Sequence, residues 1–180
     1  MRKEVILAGF GGQGILTAGK ILIDVAAQHG KNICWTSSYG AAMRGGTASC
    51  SIIISDEEIG SPYPEKLDIL LAMNEPSYHK FIGDVKEGGY AIVNGSLMGG
   101  DVEYPADVNV YSVDATDIAN SLGNGRAANL VMLGAMMKAT GLMDVDTFGT
   151  SLNDYFEKKG RNTPANLECY KLGIEKAVKK

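Results

Sequence analysis

The sequence predicts an α/β fold: a three-layer sandwich with a mostly parallel sheet, helices on both faces and a helical C-terminal third. Three observations carry this expectation. Short continuous apolar runs, beginning with Val5-Ile6-Leu7-Ala8, read as buried strands. Glycine-rich turns separate those runs from segments whose apolar residues recur at three- and four-residue spacing, the period of an amphipathic helix. The final third keeps only the helical period. Strands alternating with helices imply crossover connections and a parallel sheet.

The elements follow in order. After Gly9 the pattern turns helical from Gln13, with Ile15, Leu16, Ala18, Gly19, Leu22, Ile23, Ala26 and Ala27 on one stripe and Gly30 as the stop. Asn32-Ile33-Cys34-Trp35-Thr36 is the second strand, so the opening segment reads as a right-handed, parallel βαβ unit. Ser37 to Thr47 is expected to be a loop of small and polar residues, and Ala48 to Ser55 a third strand. Ser61-Pro62-Tyr63-Pro64 is a stiff turn, because each proline fixes its own φ and restrains the residue before it. Leu67–Met73 is a strand, Pro76 to Ile82 a short helix, Tyr90–Asn94 a strand, and Val108–Val113 the last strand. Four helices complete the chain. The first is capped by Asp114 or Thr116 and runs to about Leu122. The second runs from Arg126 to about Thr140 and ends at Gly141, and the third covers Asp144 to Lys158. The fourth starts at Pro164 behind Thr163 and runs into a lysine-rich tail that suits a helix C-terminus.

The 180 residues are expected to form a single domain, 1–180, with ordinary soluble composition: 45% hydrophobic and 21% charged. A formal net charge of −4 argues against a nucleic-acid or anionic-membrane binder, while leaving room for a local positive pocket. No apolar stretch approaches a membrane span, and the four apolar residues after Met1-Arg2-Lys3-Glu4 are too few for a secretory signal. Cys34, Cys50 and Cys169 are odd in number and lack C-x-x-C spacing, which fits a reducing cytoplasm. They are expected to be small buried hydrophobes and cannot alone hold a four-cysteine iron–sulfur cluster. His29 and His79 lack metal-ligand spacing, so no metal site is expected. Met132, Met136, Met137 and Met143 suit either core packing or a subunit contact.

Gly9-Phe10-Gly11-Gly12-Gln13-Gly14 matches the dinucleotide fingerprint in its proper context, after a strand and before a helix, which makes the fold Rossmann-like. Gly9 is expected to permit the tight turn, Gly11 to let the backbone approach a ligand, and Gly14 to bring helix and strand together. The helix N-terminus would then offer free N–H groups to an anion, and Gln13 is a polar side chain free to reach a ligand or a neighbouring subunit. The acidic residue that holds a ribose at the end of the second strand is missing, since that region reads Cys34-Trp35-Thr36-Ser37-Ser38. The second glycine loop is Ser37-Ser38-Tyr39-Gly40-Ala41-Ala42-Met43-Arg44-Gly45-Gly46-Thr47. It is expected to emerge on the same carboxyl edge of the sheet. There Arg44 could form a bidentate contact with a phosphate or carboxylate beside the exposed amides of Gly45 and Gly46.

Gly9 to Ile15, Ser38-Tyr39-Gly40, Met43-Arg44-Gly45-Gly46-Thr47, Ile54-Ser55-Asp56-Glu57 and Ile59-Gly60-Ser61-Pro62 together resemble the gamma subunit of 2-oxoacid:ferredoxin oxidoreductases. Arg126-x-x-Asn129-x-Val131-x-Leu133-Gly134-Ala135 and the stretch from Asn166 to Gly173 extend the likeness over essentially the whole chain. The resemblance implies a Rossmann-like domain that does not use NAD. It belongs to an enzyme that converts a 2-oxoacid and coenzyme A to acyl-CoA and CO2, passing two electrons to ferredoxin. It implies alpha, beta and in some cases delta partner subunits. Thiamine diphosphate with Mg2+ and the iron–sulfur clusters would sit on those partners. Where many relatives carry Pro-Glu, this chain has Ala41-Ala42, and Met43 to Thr47 looks most like the 2-oxoglutarate or 2-oxoisovalerate branch. The expected ligand of the paired loops is coenzyme A, through Gly9, Gly11, Gly12, Gln13, Gly14, Ser38, Tyr39, Arg44, Gly45, Gly46 and Thr47, with no catalytic residue on this chain. The alternatives are a stand-alone NAD(P)-dependent oxidoreductase and a purely structural assembly subunit.

Overall fold

The computed structural model of the protein describes residues 1–39 and 47–180. Its strands are β1 (Arg2–Phe10), β2 (Asn32–Tyr39), β3 (Thr47–Ser55), β4 (Leu67–Ala72), β5 (Val85–Asn94), β6 (Asn109–Val113) and β7 (Val178–Lys179). Its helices are α1 (Ile15–Gln28), α2 (Glu75–Phe81), α3 (Ala115–Ser121), α4 (Ala128–Thr140), α5 (Val145–Lys158) and α6 (Pro164–Lys176). Among the described residues the strands form one seven-stranded sheet in the order β2-β3-β1-β4-β5-β6-β7. β1, β4, β5 and β6 are parallel neighbours, whereas β3 and β7 run against the strands they pair with.

The sheet is therefore mixed, and the expected pairing of β1 with β2 is replaced. β2 keeps the direction of β1, but β3 lies between them, antiparallel to both. Burial explains the insertion. A central strand is covered on both faces, and Ile52-Ile53-Ile54 of β3 supplies apolar side chains to both. β2 cannot, because Thr36, Ser37 and Ser38 are exposed, so it takes the edge. Ser37, Ser38 and Tyr39, expected in a loop, belong to this edge strand and pair with Cys50, Ser49 and Ala48. A second correction lies at the C-terminus. The last helix stops at Lys176, and Val178 and Lys179 close the other edge by pairing with Ser112 and Tyr111, so Val108–Val113 does not end the sheet. The final lysines thus leave the helix to satisfy the free edge of β6.

Helices cover both faces. On one face Val5 and Leu7 of β1, Ile52 and Ile54 of β3 and Ile69 and Leu71 of β4 pack with α1, α4, α5 and α6 in the larger core. The alternate residues Leu70, Ala72, Ala91, Val93 and Val110 face α2 through Tyr78, together with Met98 and Tyr104. Gly30, with φ 73°, follows the C-cap of α1, and Gly141 ends α4 with φ 60°. Asp144 caps α5 by accepting from the Thr147 amide at 2.9 Å, which holds its carboxyl below the usual range. Asp114 and Thr163 occupy cap positions without a side-chain hydrogen bond. The helix expected from Arg126 opens as a 3-10 turn over Gly125–Ala127 before α4 begins. Cys50 and Cys169 are buried and Cys34 is half-buried.

Ala128 to Met137 of α4 are all buried, so this helix is apolar all round and sandwiched between the sheet and α6. Met132, Met136 and Met137 are accordingly core residues, with the half-buried Met143 packed against the same core. The contact with α6 is backbone to backbone. A Cβ on Gly134 would collide with the Tyr170 carbonyl, and one on Gly173 with the Val131 carbonyl. At the amino end of the strands the buried Asp68 accepts from the Glu4 amide at 2.9 Å and pairs with Lys3 and Lys86. Burial alone would raise its pKa. The hydrogen bonds from Lys86 and the Glu4 amide and the charges of both lysines outweigh it and hold the carboxyl below its usual value.

Gly173→Ala is expected to lower the unfolding free energy by about 3 kcal/mol, read by denaturant melts, because two helix backbones must separate to admit a methyl group. Asp68→Asn is expected to cost about 2 kcal/mol at neutral pH, less than a fully buried pair because both lysines are partly exposed. Folding lowers the Asp68 pKa, so the unfolded chain takes up the proton first as pH falls. The stabilisation is complete above about pH 4, the unfolded value, and fades as pH drops through the folded one. Melts repeated down the acid limb should show the wild type converging on Asp68→Asn there.

Candidate functional site

The first glycine loop leaves β1 at Phe10 and enters α1 behind Gly14. Its glycines divide the work differently from the fingerprint's usual assignment. The left-handed turn residues are Gly12 (φ 95°) and Gly14 (φ 75°). Gly9 is the close-packed one, since a Cβ there would lie 2.8 Å from Gln13 Oε1, 2.9 Å from Ile15 and 3.0 Å from Met73. Nothing approaches the Cβ position of Gly11, which opens onto a cleft. Gly14 makes room for α4 rather than for the strand. A Cβ there would meet Asn129 Nδ2 at 2.6 Å, and Asn129 donates to the Gly14 carbonyl at 3.0 Å. α1 has no side-chain cap and no acidic residue in its first turn, and the amides of Gly14 to Thr17 find no acceptor among the described residues. They give this end of the cleft a partial positive charge.

The cleft holds about 1050 Å3 and lies between this loop and the C-terminal helices. One wall is Phe10, Gly11, Gly12 and Gly14 with the first turn of α1. The other is made by the turn before α4, with Asn124, Arg126 and Asn129, and by the start of α6, with Arg161, Thr163 and Asn166. Among the described residues no aspartate, glutamate or lysine lines it, in a chain with 21 acidic residues. Neither Arg126 nor Arg161 pairs with a carboxylate among the described residues. Asn129, 4% exposed, uses its amide on Gly14, while its Oδ1 accepts no hydrogen bond among the described residues. The arrangement suits an anion of nucleotide size. Reading the sequence missed the second wall. Its signal was the dipeptide Gly-Arg, which occurs at Gly125-Arg126 and Gly160-Arg161 in turns beside helices.

A model of the pyruvate ferredoxin/flavodoxin oxidoreductase family matches residues 4–176. The chain belongs to this family. It is 39% identical over 178 residues to the ketoisovalerate oxidoreductase subunit VorA of Methanothermobacter marburgensis, covering 98% of this chain and 37% of that relative. It shares the fold of the gamma subunit of a keto/oxoacid ferredoxin oxidoreductase from Geobacter sulfurreducens, with a TM-score of 0.80 and 28% identity over 98% of this chain and 96% of that one. It is similar also to the 2-oxoglutarate:ferredoxin oxidoreductase of Magnetococcus marinus, solved with 2-oxoglutarate, coenzyme A and succinyl-CoA bound. That match has a TM-score of 0.82 and 26% identity over 97% of this chain and 30% of that one. The chain thus spans little more than a third of the VorA relative and nearly all of the Geobacter subunit.

Within this member of the family the other expected site residues are scattered. Arg44, Gly45 and Gly46 lie outside the described residues. The segment that carries them begins and ends beside the first loop, since Tyr39 pairs with Ala48, Ala48 with Gly9, and Thr47 with Phe10. Both loops therefore leave the same sheet edge. Ile33 and Trp35 pack into the helix-side core, so the alternate residues Thr36 and Ser38 face the other way, and Ser38 is exposed there. Neither Gly9, Gln13, Ser38 nor Thr47 lines the cleft. His29 contacts Ser151 at 3.3 Å and His79 contacts Glu75 at 3.3 Å. Asp24 accepts from Gln28 at 2.7 Å.

Gln13 is not free to reach out. Its Oε1 accepts from the Phe10 amide at 2.7 Å and from Asn74 Nδ2 at 2.8 Å, while Asn74 caps α2 through Ser77. It folds the glycine loop back onto the sheet edge and joins it to α2. Gln13→Ala is expected to cost about 1 kcal/mol and to speed hydrogen exchange at the Phe10 amide, whereas Gln13→Glu keeps an oxygen acceptor for both donors and most of the protection. Exchange measured by NMR on the three proteins checks this.

Proposed function

We propose that this chain, residues 1–180, is the gamma domain and subunit of a multi-subunit 2-oxoacid:ferredoxin oxidoreductase. Its cleft holds the phosphates of coenzyme A beside an active site completed by alpha and beta subunits. The reaction converts a 2-oxoacid and coenzyme A to acyl-CoA and CO2, and two electrons leave through iron–sulfur clusters on beta or on a delta subunit to ferredoxin. The 2-oxoacid is 2-oxoglutarate or a branched-chain acid such as ketoisovalerate, which the VorA likeness and the Met43-Arg44-Gly45-Gly46-Thr47 motif support.

The observation that carries this reading is the acid-free cleft. A Mg2+-bridged diphosphate is ordinarily held through one or two carboxylates, and no acidic side chain among the described residues lines the cleft, which favours phosphates bound without a metal over thiamine diphosphate. The phosphates of coenzyme A need N–H groups and guanidiniums instead, and the cleft offers amides on one wall and guanidiniums on the other. The three cysteines lie apart, on β2, β3 and α6, and do not fit a cluster. Thiamine diphosphate on the partner subunits supplies the electron sink for decarboxylation. The residues of this chain bind and orient: phosphates held at Gly11, Gly12 and the α1 amides fix where the thiol end of the coenzyme can travel. An NAD(P) site is disfavoured by the sheet order. The ribose contact comes from the end of the strand beside β1, and here β3 moves the end of β2 one strand further away.

In the assembled complex Gly11→Asp is expected to raise the KM for coenzyme A at least about tenfold, with the KM for the 2-oxoacid unchanged. The new carboxylate enters open space and meets only the ligand's charge. Arg44→Ala is expected to raise the same KM or to lower turnover. Unchanged kinetics in both variants would remove this chain from the coenzyme site, and tight NAD(P) binding by calorimetry would replace the reading.

A further inference from the structure

We propose that Arg126 and Arg161 form a second phosphate subsite in the cleft, one that takes a phosphomonoester and selects coenzyme A over its form without the ribose 3′-phosphate. The inference rests on the coenzyme reading above and adds what the far wall recognises. The chain has only four arginines. Arg2 pairs with Glu4 at 2.9 Å, and Arg44 lies outside the described residues. The other two both line the cleft, both are exposed, and neither has a carboxylate partner among the described residues.

The two guanidiniums come from separate loops that are tied together. Arg126 lies in the turn before α4, and Arg161 lies between α5 and α6. Asn166, 8% exposed, accepts from Asn124 Nδ2 at 3.2 Å and donates through its own Nδ2 to the Arg161 carbonyl at 3.2 Å. One buried carboxamide thus fixes the spacing of the two loops. The two walls also offer different chemistry. Backbone amides and a helix end at Gly11 to Thr17 suit the singly charged groups of a diphosphate. A pair of guanidiniums suits a terminal phosphate, which carries about −1.5 to −2 charges and three acceptor oxygens. Coenzyme A presents both groups, one on each side of its ribose, and a cleft of about 1050 Å3 has room for the adenosine between the walls.

Calorimetry on the assembled complex, with coenzyme A and dephospho-coenzyme A as probes, tests the assignment. The wild type is expected to bind coenzyme A at least about tenfold more tightly. Arg126→Gln combined with Arg161→Gln should abolish that ratio by weakening coenzyme A alone, leaving dephospho-coenzyme A within about twofold. Asn166→Ala should reduce the ratio part-way with both arginines still present. Gly11→Asp should weaken both probes alike. Equal binding of the two probes by the wild type, or equal loss of both in the double variant, overturns the subsite and leaves the coenzyme reading standing. Binding of neither probe by the wild type ends the coenzyme reading and the subsite with it.

Discussion

Two glycines let α4 and α6 touch backbone to backbone, and the position of the cleft's far wall follows from that contact. Glycine inside a helix is unfavourable by about 1 kcal/mol relative to alanine. Gly134 and Gly173 stand where any Cβ would strike a carbonyl of the facing helix. The crossing fixes both helices, and the cleft residues sit at their amino ends: Arg126 and Asn129 at α4, Arg161 and Asn166 at α6. Gly14 repeats the device on the near wall, where its missing side chain admits Asn129 to the loop carbonyl. Sites built on packed helices are held more closely than sites on loops alone. Here even the loop residues are tied to helices by carboxamides, Gln13 to Asn74 and Asn166 to the Arg161 carbonyl.

Two buried carboxylates are kept at the end of the sheet away from the cleft. The buried carboxylates Glu4 and Asp68 lie near the amino ends of β1 and β4, held by Arg2, Lys3, Lys86 and backbone amides. The cleft guanidiniums, without a carboxylate partner among the described residues, lie beyond the carboxyl end of β1. From Glu4 to the end of that strand is about 20 Å, more than twice the screening length of about 8 Å at physiological salt. Glu4 and Asp68 therefore do not compete for the cleft arginines, in a chain of net charge −4.

What could be read from the sequence was what is local. Apolar runs marked β1, β3, β4 and β5, and Asp144 and Gly141 marked helix ends, because each signal lies within a few residues of the feature it sets. The place of β3 in the sheet was not legible. The chain order β1, α1, β2 invites a direct parallel pairing, and only the two-sided burial of Ile52 to Ile54 against the polar end of β2 forbids it. Gln13 was legible as polar but not as turned inward, since its partner Asn74 lies 61 residues away. The far wall was hidden for the same reason: Asn129 meets Gly14 across 115 residues of chain.

The insertion of β3 also gives the proposed coenzyme reading its physical basis in a nucleotide fingerprint. The anion contact of a glycine turn is made by backbone amides, which respond to charge and not to the rest of the molecule. Identity must be read elsewhere. In a dinucleotide fold it is read by an acidic residue at the end of the neighbouring strand. With β3 in that place, running the opposite way, the strand beside β1 begins at this edge with Thr47, and no acidic residue of the described chain lines the cleft. Recognition then falls to whatever faces the turn from across the cleft. The C-terminal helices face it, brought close by Gly134 and Gly173 and carrying guanidiniums in place of a carboxylate. A carboxylate reads ribose hydroxyls and repels phosphate, whereas guanidiniums bind phosphate. On the subsite proposed above, exchanging one for the other turns the preference from a free ribose to a phosphorylated one while the glycine turn stays the same.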